Sequence, residues 1–443
     1  MRTGSVRAVA TQPRSRVRAV AALAAMGALA LTACGTDVDD ITVGPGTGWP
    51  AAHHDGRNSG VSPVTGARSL TLSWSRPAAG PIEQPVTIGA EGQLFLTTRT
   101  PNGCAILSLQ MPTGRKRFCD VLGPNTISSP TAVDGASNVY VGDDGAVNSY
   151  NYLGQPRWRT PVAGVPVSVQ FTGDSRLLTI TQSGQVDVLD RQTGLRTVPT
   201  VQLLGEPDLL EYPNLIRPAS GQGLDDCGTG GPHCPVANIS AIEKSTGRFY
   251  VTVWQPGSPN AALVALRYAD NKIQQEWRAE ILTEGSATGP ALSADGGTVY
   301  VGDNTKRLIA VDTADGRTKW VRPLGFTPSG GISVSADGLI IPAGDEGYLL
   351  ALRDTGETAE TVWERKDLVL RGVPVQTEGG TGYTAAAIGE GLSLITFDTA
   401  TGATIDADVL PGAQGSTTGT SVGAEGEVVL ATRIGEVFVF KPE

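Results

Sequence analysis

Residues 290–320 read PALSADGGTVYVGDNTKRLIAVDTADGRTKW, and the order of residue types in this stretch decides the fold. Thr298–Gly302 and Leu308–Asp312 alternate between apolar and small or polar residues, the two-residue period of half-buried strands. A Gly-Asp pair separates them, and an Asp-Gly pair precedes the closing Trp320, which is turn chemistry for antiparallel neighbours. The phrase recurs. Residues 130–158 read PTAVDGASNVYVGDDGAVNSYNYLGQPRW, residues 331–363 read GISVSADGLIIPAGDEGYLLALRDTGETAETVW, and residues 374–405 read PVQTEGGTGYTAAAIGEGLSLITFDTATGATI. Weaker copies start near Pro85, Pro166, Ser240 and Thr420.

The eight starts are 85, 130, 166, 240, 290, 331, 374 and 420. Most intervals fit one four-stranded propeller blade of roughly 40–50 residues. The interval from 166 to 240 is longer and holds a Pro/Gly-rich insertion over about residues 203–235. The last copy supplies Glu427–Leu430 and Glu436–Phe440 and then stops one strand short. Leu70-Thr-Leu-Ser-Trp-Ser-Arg76 alternates correctly and carries a Trp. The expected fold is therefore an all-β, eight-bladed propeller over residues 49–443. In it an N-terminal strand completes the last blade and removes an exposed edge.

The first residues have another character. Residues 1–33 hold five Arg and no carboxylate, and Ala19–Leu31 is apolar, too short to span a bilayer and suited to a signal-peptide core. Leu31-Thr-Ala-Cys34-Gly35 resembles the bacterial lipobox, which implies cleavage before Cys34 and lipidation of its thiol. An ordinary secretory signal cut nearby is the rival reading. Residues 34–48 are polar and Gly-rich, an expected tether. The expected location is the outer face of the cytoplasmic membrane, with the chain held there by its lipid. After the signal, 29 basic residues face 44 acidic ones, a balance that repels nucleic acid.

Setting Cys34 aside leaves Cys104, Cys119, Cys227 and Cys234, an even number in an oxidising compartment. Cys104 and Cys119 flank a hairpin whose midpoint falls between Met111 and Pro112, so the two are expected opposite one another. Closing that loop is worth roughly 3 kcal/mol in the chain-entropy view. Cys227 and Cys234 bracket Gly-Thr-Gly-Gly-Pro-His and are expected to staple it. Zinc is the competing use of these cysteines, but the chain has only His53, His54 and His233 to add to them.

The phrase VYVGD…G.L.ALD..TG…W resembles the repeat of pyrroloquinoline-quinone-type propellers over about residues 49–443, and Trp49–Gly60 resembles the entry before their first blade. Two branches follow from the resemblance. One is the quinoprotein dehydrogenases, which typically carry adjacent cysteines, a calcium site, a catalytic Asp and longer blade insertions. The other is the non-enzymatic lipoproteins similar to the outer-membrane assembly factor BamB, which dock partner proteins. This chain has no adjacent cysteines and little length beyond eight blades. Trp158, Trp277, Trp320 and Trp363 recur at blade ends and are expected to pack between neighbours rather than sandwich a quinone. Gly142-Asp143, Gly302-Asp303 and Gly344-Asp345 are expected to make turns rather than a calcium loop. His53-His54-Asp55 is expected in a capping or hydrogen-bonded core role. No catalytic, cofactor or metal residues are assigned. The expectation is a monomeric interaction protein for unidentified envelope proteins, with the dehydrogenase and a sugar- or cell-wall-binding propeller as alternatives.

Overall fold

Alternation alone predicts strands buried on one face, but inner strands such as Val139–Asp143, Thr298–Asp303 and Val428–Thr432 are buried on both, and stacking sheets side by side is what covers the two faces. In the computed structural model, residues 48–89, 91–205 and 221–443, together with Met1 and Gly4, are described. The signal, Cys34 and the tether lie outside them.

Six separate four-stranded antiparallel sheets span residues 87–121, 132–161, 166–202, 241–283, 291–323, and 417–442 joined by Leu70–Pro77. A nine-stranded sheet holds two further four-stranded units, 332–370 and 375–410. Val369 and Leu370 of the first pair there with Ala387 and Ala386 of the second. These starts follow the sequence phrase closely. Leu70–Pro77 runs antiparallel to Glu436–Pro442, so the outermost strand of the C-terminal sheet comes from the N-terminal side of the chain.

Successive sheets are locked by one recurring contact. The outer strand of a sheet carries an aromatic residue that rests on the turn before the outer strand of the next. Indole N–H groups donate from Trp74 to Met111 O (2.6 Å), Trp158 to Arg191 O (2.9 Å), Trp277 to Thr313 O (3.0 Å) and Trp363 to Thr399 O (2.9 Å). Trp320 donates instead to Asp354 Oδ1 (2.9 Å). Beneath four of these rings lie Gly114, Gly194, Gly316 and Gly402, all with φ between 62° and 76°. A Cβ at any of them would fall within 2.8 Å of the indole, so glycine is needed both for the turn and for the approach. Phe118 covers Gly154 in the same way. Tyr140, Tyr250 and Tyr300 flank Trp158, Trp277 and Trp320 at 5.8, 5.8 and 5.9 Å between ring centres, adding offset aromatic packing. The Trp residues expected between blades do sit at these boundaries.

Three details differ from the sequence reading. Cys104 and Cys119 are bonded, with Cα atoms 5.7 Å apart, but they are not direct partners. Irregularities at both ends of the pairing set Cys104 opposite Val121 and Cys119 opposite Leu107. Asp143 and Asp303 are strand-end residues rather than open turn residues, and both are buried. Asp143 accepts from Gly123 N and Asp144 N, and Asp303 from Thr305 and Arg307. Of the insertion, residues 203–205 and 221–235 are described. The second stretch forms a turn of helix, Leu224–Cys227, and a loop closed by the Cys227–Cys234 bridge.

Candidate functional site

The residues ahead of the first sheet do more than lead into it. Trp49 exchanges main-chain hydrogen bonds with Ile88 (2.9 and 2.8 Å), and Pro50 O accepts from Val133 N. Gly56 O accepts from Ile242 N, Arg57 O from Leu292 N, Ser59 O from Val334 N and Gly60 O from Gln376 N. Asn58 fills the remaining place. Its Nδ2 donates to Ser240 O and Pro290 O (3.2 and 2.8 Å), and its Oδ1 accepts from Gln170 Nε2 (3.1 Å). Val61–Thr65 then runs parallel to Val375–Glu378. One segment of about twenty residues thus bonds to the first strand of seven four-stranded units, and the chain then continues into the outer strand of the eighth.

This segment needs irregular backbone. His54 and Asn58 have φ of 75° and 55°, and Asp55 holds the turn by accepting from Ser59 N and Oγ, both at 2.9 Å. The expected capping role belongs to Asp55. The histidines behave otherwise. His54 is buried against Trp49, ring centres 4.9 Å apart, and neither of its ring nitrogens has a hydrogen-bond partner. Burial, only partly opposed by Asp55, holds its imidazole below the usual range and so neutral. His53 is pulled down to about 4 by burial, again against Asp55.

His53 and Ala52 form the floor of a cavity of about 600 Å³ at one end of the central axis. Its wall is made where the first strands begin, from small residues such as Ala237, Ala287, Gly289 and Gly330, because large side chains cannot converge there. Its rim carries charges of both signs, Glu83, Arg99, Asp225, Asp345 and Arg433. The bridged 221–234 loop stands on this rim, tied down by Asn304 Nδ2 to Thr229 O (2.8 Å) and Val236 N to Gln182 O (3.1 Å). Inside the loop Asp226 accepts from His233 N and Nδ1 (3.0 and 2.6 Å), bonds that hold its carboxyl below the ordinary range. With Cys227 and Cys234 bonded to each other, His233 is engaged by Asp226 rather than by a zinc set.

A quinone cofactor would need flat aromatic plates and a cation beside its carbonyls. The described lining of this cavity contains no Trp, Tyr or Phe. Among the described residues no three His, Cys, Asp or Glu side chains are grouped to hold a metal ion. The described residues of the lining offer no stacking plate for that cofactor. The sequence singled out the Trp49–Gly60 entry and the Gly344-Asp345 pair, but not the role of Asn58 or the gathering of Glu83, Arg99, Asp225 and Arg433 around Asp345, because those four and Asn58 are not residues of the repeated phrase.

Fold and central cavity together define a β-propeller of the pyrroloquinoline-quinone-repeat class. The chain belongs to the same family as Protein Rv3035 of Mycobacterium tuberculosis, and its C-terminal half matches a BamB family model. The family described as outer membrane protein assembly factor BamB matches residues 238–441, and Protein Rv3035 of Mycobacterium tuberculosis is 38% identical over 418 residues, covering 92% of this chain and 99% of the relative. Among solved structures, BamB from Moraxella catarrhalis matches with a TM-score of 0.58 at 16% identity, over 84% of this chain and 100% of the other. A quinohemoprotein alcohol dehydrogenase from Comamonas testosteroni matches with a TM-score of 0.61 at 14% identity, over 95% and 85%. At such identities the two structures speak for the fold alone.

Proposed function

We propose that the chain is an exported, lipid-anchored propeller that docks partner proteins of the cell envelope and carries out no chemistry itself. In this reading the eight four-stranded units are eight blades, and the pairing of Leu70–Pro77 with Glu436–Pro442 closes them into a ring. Cys34 bears the lipid, residues 34–48 are the tether, and the propeller acts as a monomer.

The observation that carries the reading is the occupancy of the axis by Trp49–Thr65 together with the character of the cavity above it. The floor offers one neutral imidazole and small side chains. The rim offers charges of both signs at the edges of different sheets, an arrangement that suits polar recognition of a protein surface more than positioning of a reacting atom. The match of residues 238–441 to the BamB family model favours the same class of role.

A photo-crosslinking residue placed at Asp225 or Asp345 should capture a discrete envelope protein, whereas one at Val362 on an outer strand should not. Saturable binding of pyrroloquinoline quinone with calcium, accompanied by alcohol- or sugar-dependent dye reduction, would overturn the reading in favour of a dehydrogenase. The anchor has its own test. Cys34→Ala should release the protein from the membrane fraction, and persistence of the variant in salt-washed membranes would show that lipidation does not hold it.

A further inference from the structure

Charge is divided unequally between the two parts of the propeller. Residues 49–202 contain 12 basic and 10 acidic residues, whereas residues 203–443 contain 17 basic and 31 acidic. In the acidic part most cations are neutralised locally. Arg248 and Arg267 share Glu276, Arg307 pairs with Asp303, Lys319 with Asp312, Arg353 with Asp337, Arg365 with Asp367, and Arg371 with Asp345 and Glu346.

One stretch of the outer strands and their turns is different. Arg115, Lys116 and Arg117 follow the turn into the outer strand of the 87–121 sheet, and Arg76 lies beside that turn at Gly114. All four are exposed, and among the described residues no carboxylate lies within ion-pair distance of any of them. The corresponding turn of the next sheet presents Tyr152 and Leu153, 42% and 48% exposed, and the turn after that presents Leu195 at 68%. Arg117 lies over the Tyr152 ring at 5.4 Å, so cation and apolar tip belong to one surface. The carboxylates on these turns are mostly spent. Asp190 accepts from Thr193 and Gln192, and Asp174 pairs with Arg176, which leaves Glu91.

We infer that this arc, cationic and tipped with apolar side chains, rests on an anionic lipid surface, so that the propeller lies in a fixed orientation on its membrane. Cations seek lipid phosphates while Tyr and Leu enter the headgroup boundary, the combination by which peripheral surfaces bind membranes. The acidic remainder is repelled from the same surface, which sets the direction of tilt. The inference takes the membrane tether of the preceding reading as its setting. A tether supplies the high local concentration that a small patch needs.

The test uses the full chain with bimane attached at Leu153→Cys or, as a control, at Ile388→Cys on the acidic part. Each is mixed with excess vesicles of phosphatidylglycerol or phosphatidylcholine containing doxyl-labelled lipid. Quenching at position 153 should exceed that at 388 by about two-fold or more in the anionic vesicles only. The excess should vanish at high salt and in the variant carrying Arg115→Glu, Lys116→Glu and Arg117→Glu. Equal quenching at the two positions, or quenching at 153 that ignores charge reversal, overturns the inference. Flotation with phosphatidylcholine vesicles reports separately on the lipid anchor, so failure of the anchor and failure of the docking arc are read from different measurements.

Discussion

Neighbouring sheets of this propeller are joined twice, once at the periphery and once at the axis, by different chemistry. At the periphery an aromatic ring rests on a glycine turn, and the contact recurs with small changes at most boundaries. At the axis a single segment, Trp49–Thr65, hydrogen-bonds to seven four-stranded units through its main chain and through Asn58. A peripheral contact is local and repeated, so its loss disturbs one boundary. The axial segment is shared and occurs once, so its loss is felt by all the sheets together.

The sharpest way to break this contrast is to remove residues 49–76. The deletion takes away the axial bonds and the strand paired with Glu436–Pro442, and should lower the melting temperature by more than about 10 °C or abolish the cooperative transition. An unchanged melting curve would mean that the sheets hold one another without the axis. Next in size, Trp320→Ala removes a buried indole and its bond to Asp354, at a cost of about 3–5 kcal/mol in denaturant unfolding. Hydrogen exchange should rise only between the 291–323 and 332–370 units.

Asn58→Ala should cost about 2–3 kcal/mol, because Ser240 O, Pro290 O and Gln170 Nε2 lose a buried partner. Although the cost is smaller, exchange should rise in the three units 166–202, 241–283 and 291–323. If the two variants give the same spatial pattern, the distinction between local and shared contacts fails.

Two pH experiments refine the picture. His53 and His54 are held neutral by burial, so the unfolded chain takes up protons below pH 6.5 that the folded chain refuses. Stability should therefore fall as pH drops from 6.5 toward 4, by up to about 1.4 kcal/mol per pH unit for each ring. His54→Phe should flatten the slope, since no ring hydrogen bond is lost. A slope unaltered by this change would place the titration elsewhere. The smallest effect belongs to Asp408 on the 375–410 unit, raised to about 6 by burial first and then by Asp406 and Glu443. A carboxyl with a raised value favours the folded state while protonated, so its contribution declines as pH rises from about 4 through 6. Asp408→Asn should give a slight gain at pH 7 and none at pH 4.

The contrast between periphery and axis also marks what the sequence could disclose. Strands such as Thr298–Asp303 announce themselves by two-residue alternation, and turns such as Asp312–Gly316 by their Asp and Gly. The repeated Trp residues mark sheet boundaries. Leu70–Pro77 was readable because it too alternates. The route of Trp49–Thr65 was not, because its bonds are mostly made by main-chain atoms that every residue possesses, and its one decisive side chain, Asn58, occurs once. The same limit applies to the first disulfide. Spacing indicated the pair, but the irregularities that shift Cys104 opposite Val121 have no signature in residue type. The charged rim of the cavity gathers Glu83, Arg99, Asp345 and Arg433 from distant parts of the chain, where only the folded topology makes them neighbours.

The pairing of Leu70–Pro77 with Glu436–Pro442 also sets a timetable for biosynthesis. Ser69 Oγ donates to Glu443 Oε2 across 374 residues of chain, so a strand made early waits for one made hundreds of residues later. At ordinary synthesis rates that wait lasts on the order of half a minute to a minute. Throughout it, an alternating strand bearing Trp74 has no partner, and such an edge pairs readily with another chain. Safe passage of the nascent protein therefore depends on how these two segments are shielded before they meet, and a chain lacking Glu436–Pro442 leaves Leu70–Pro77 unpaired for good.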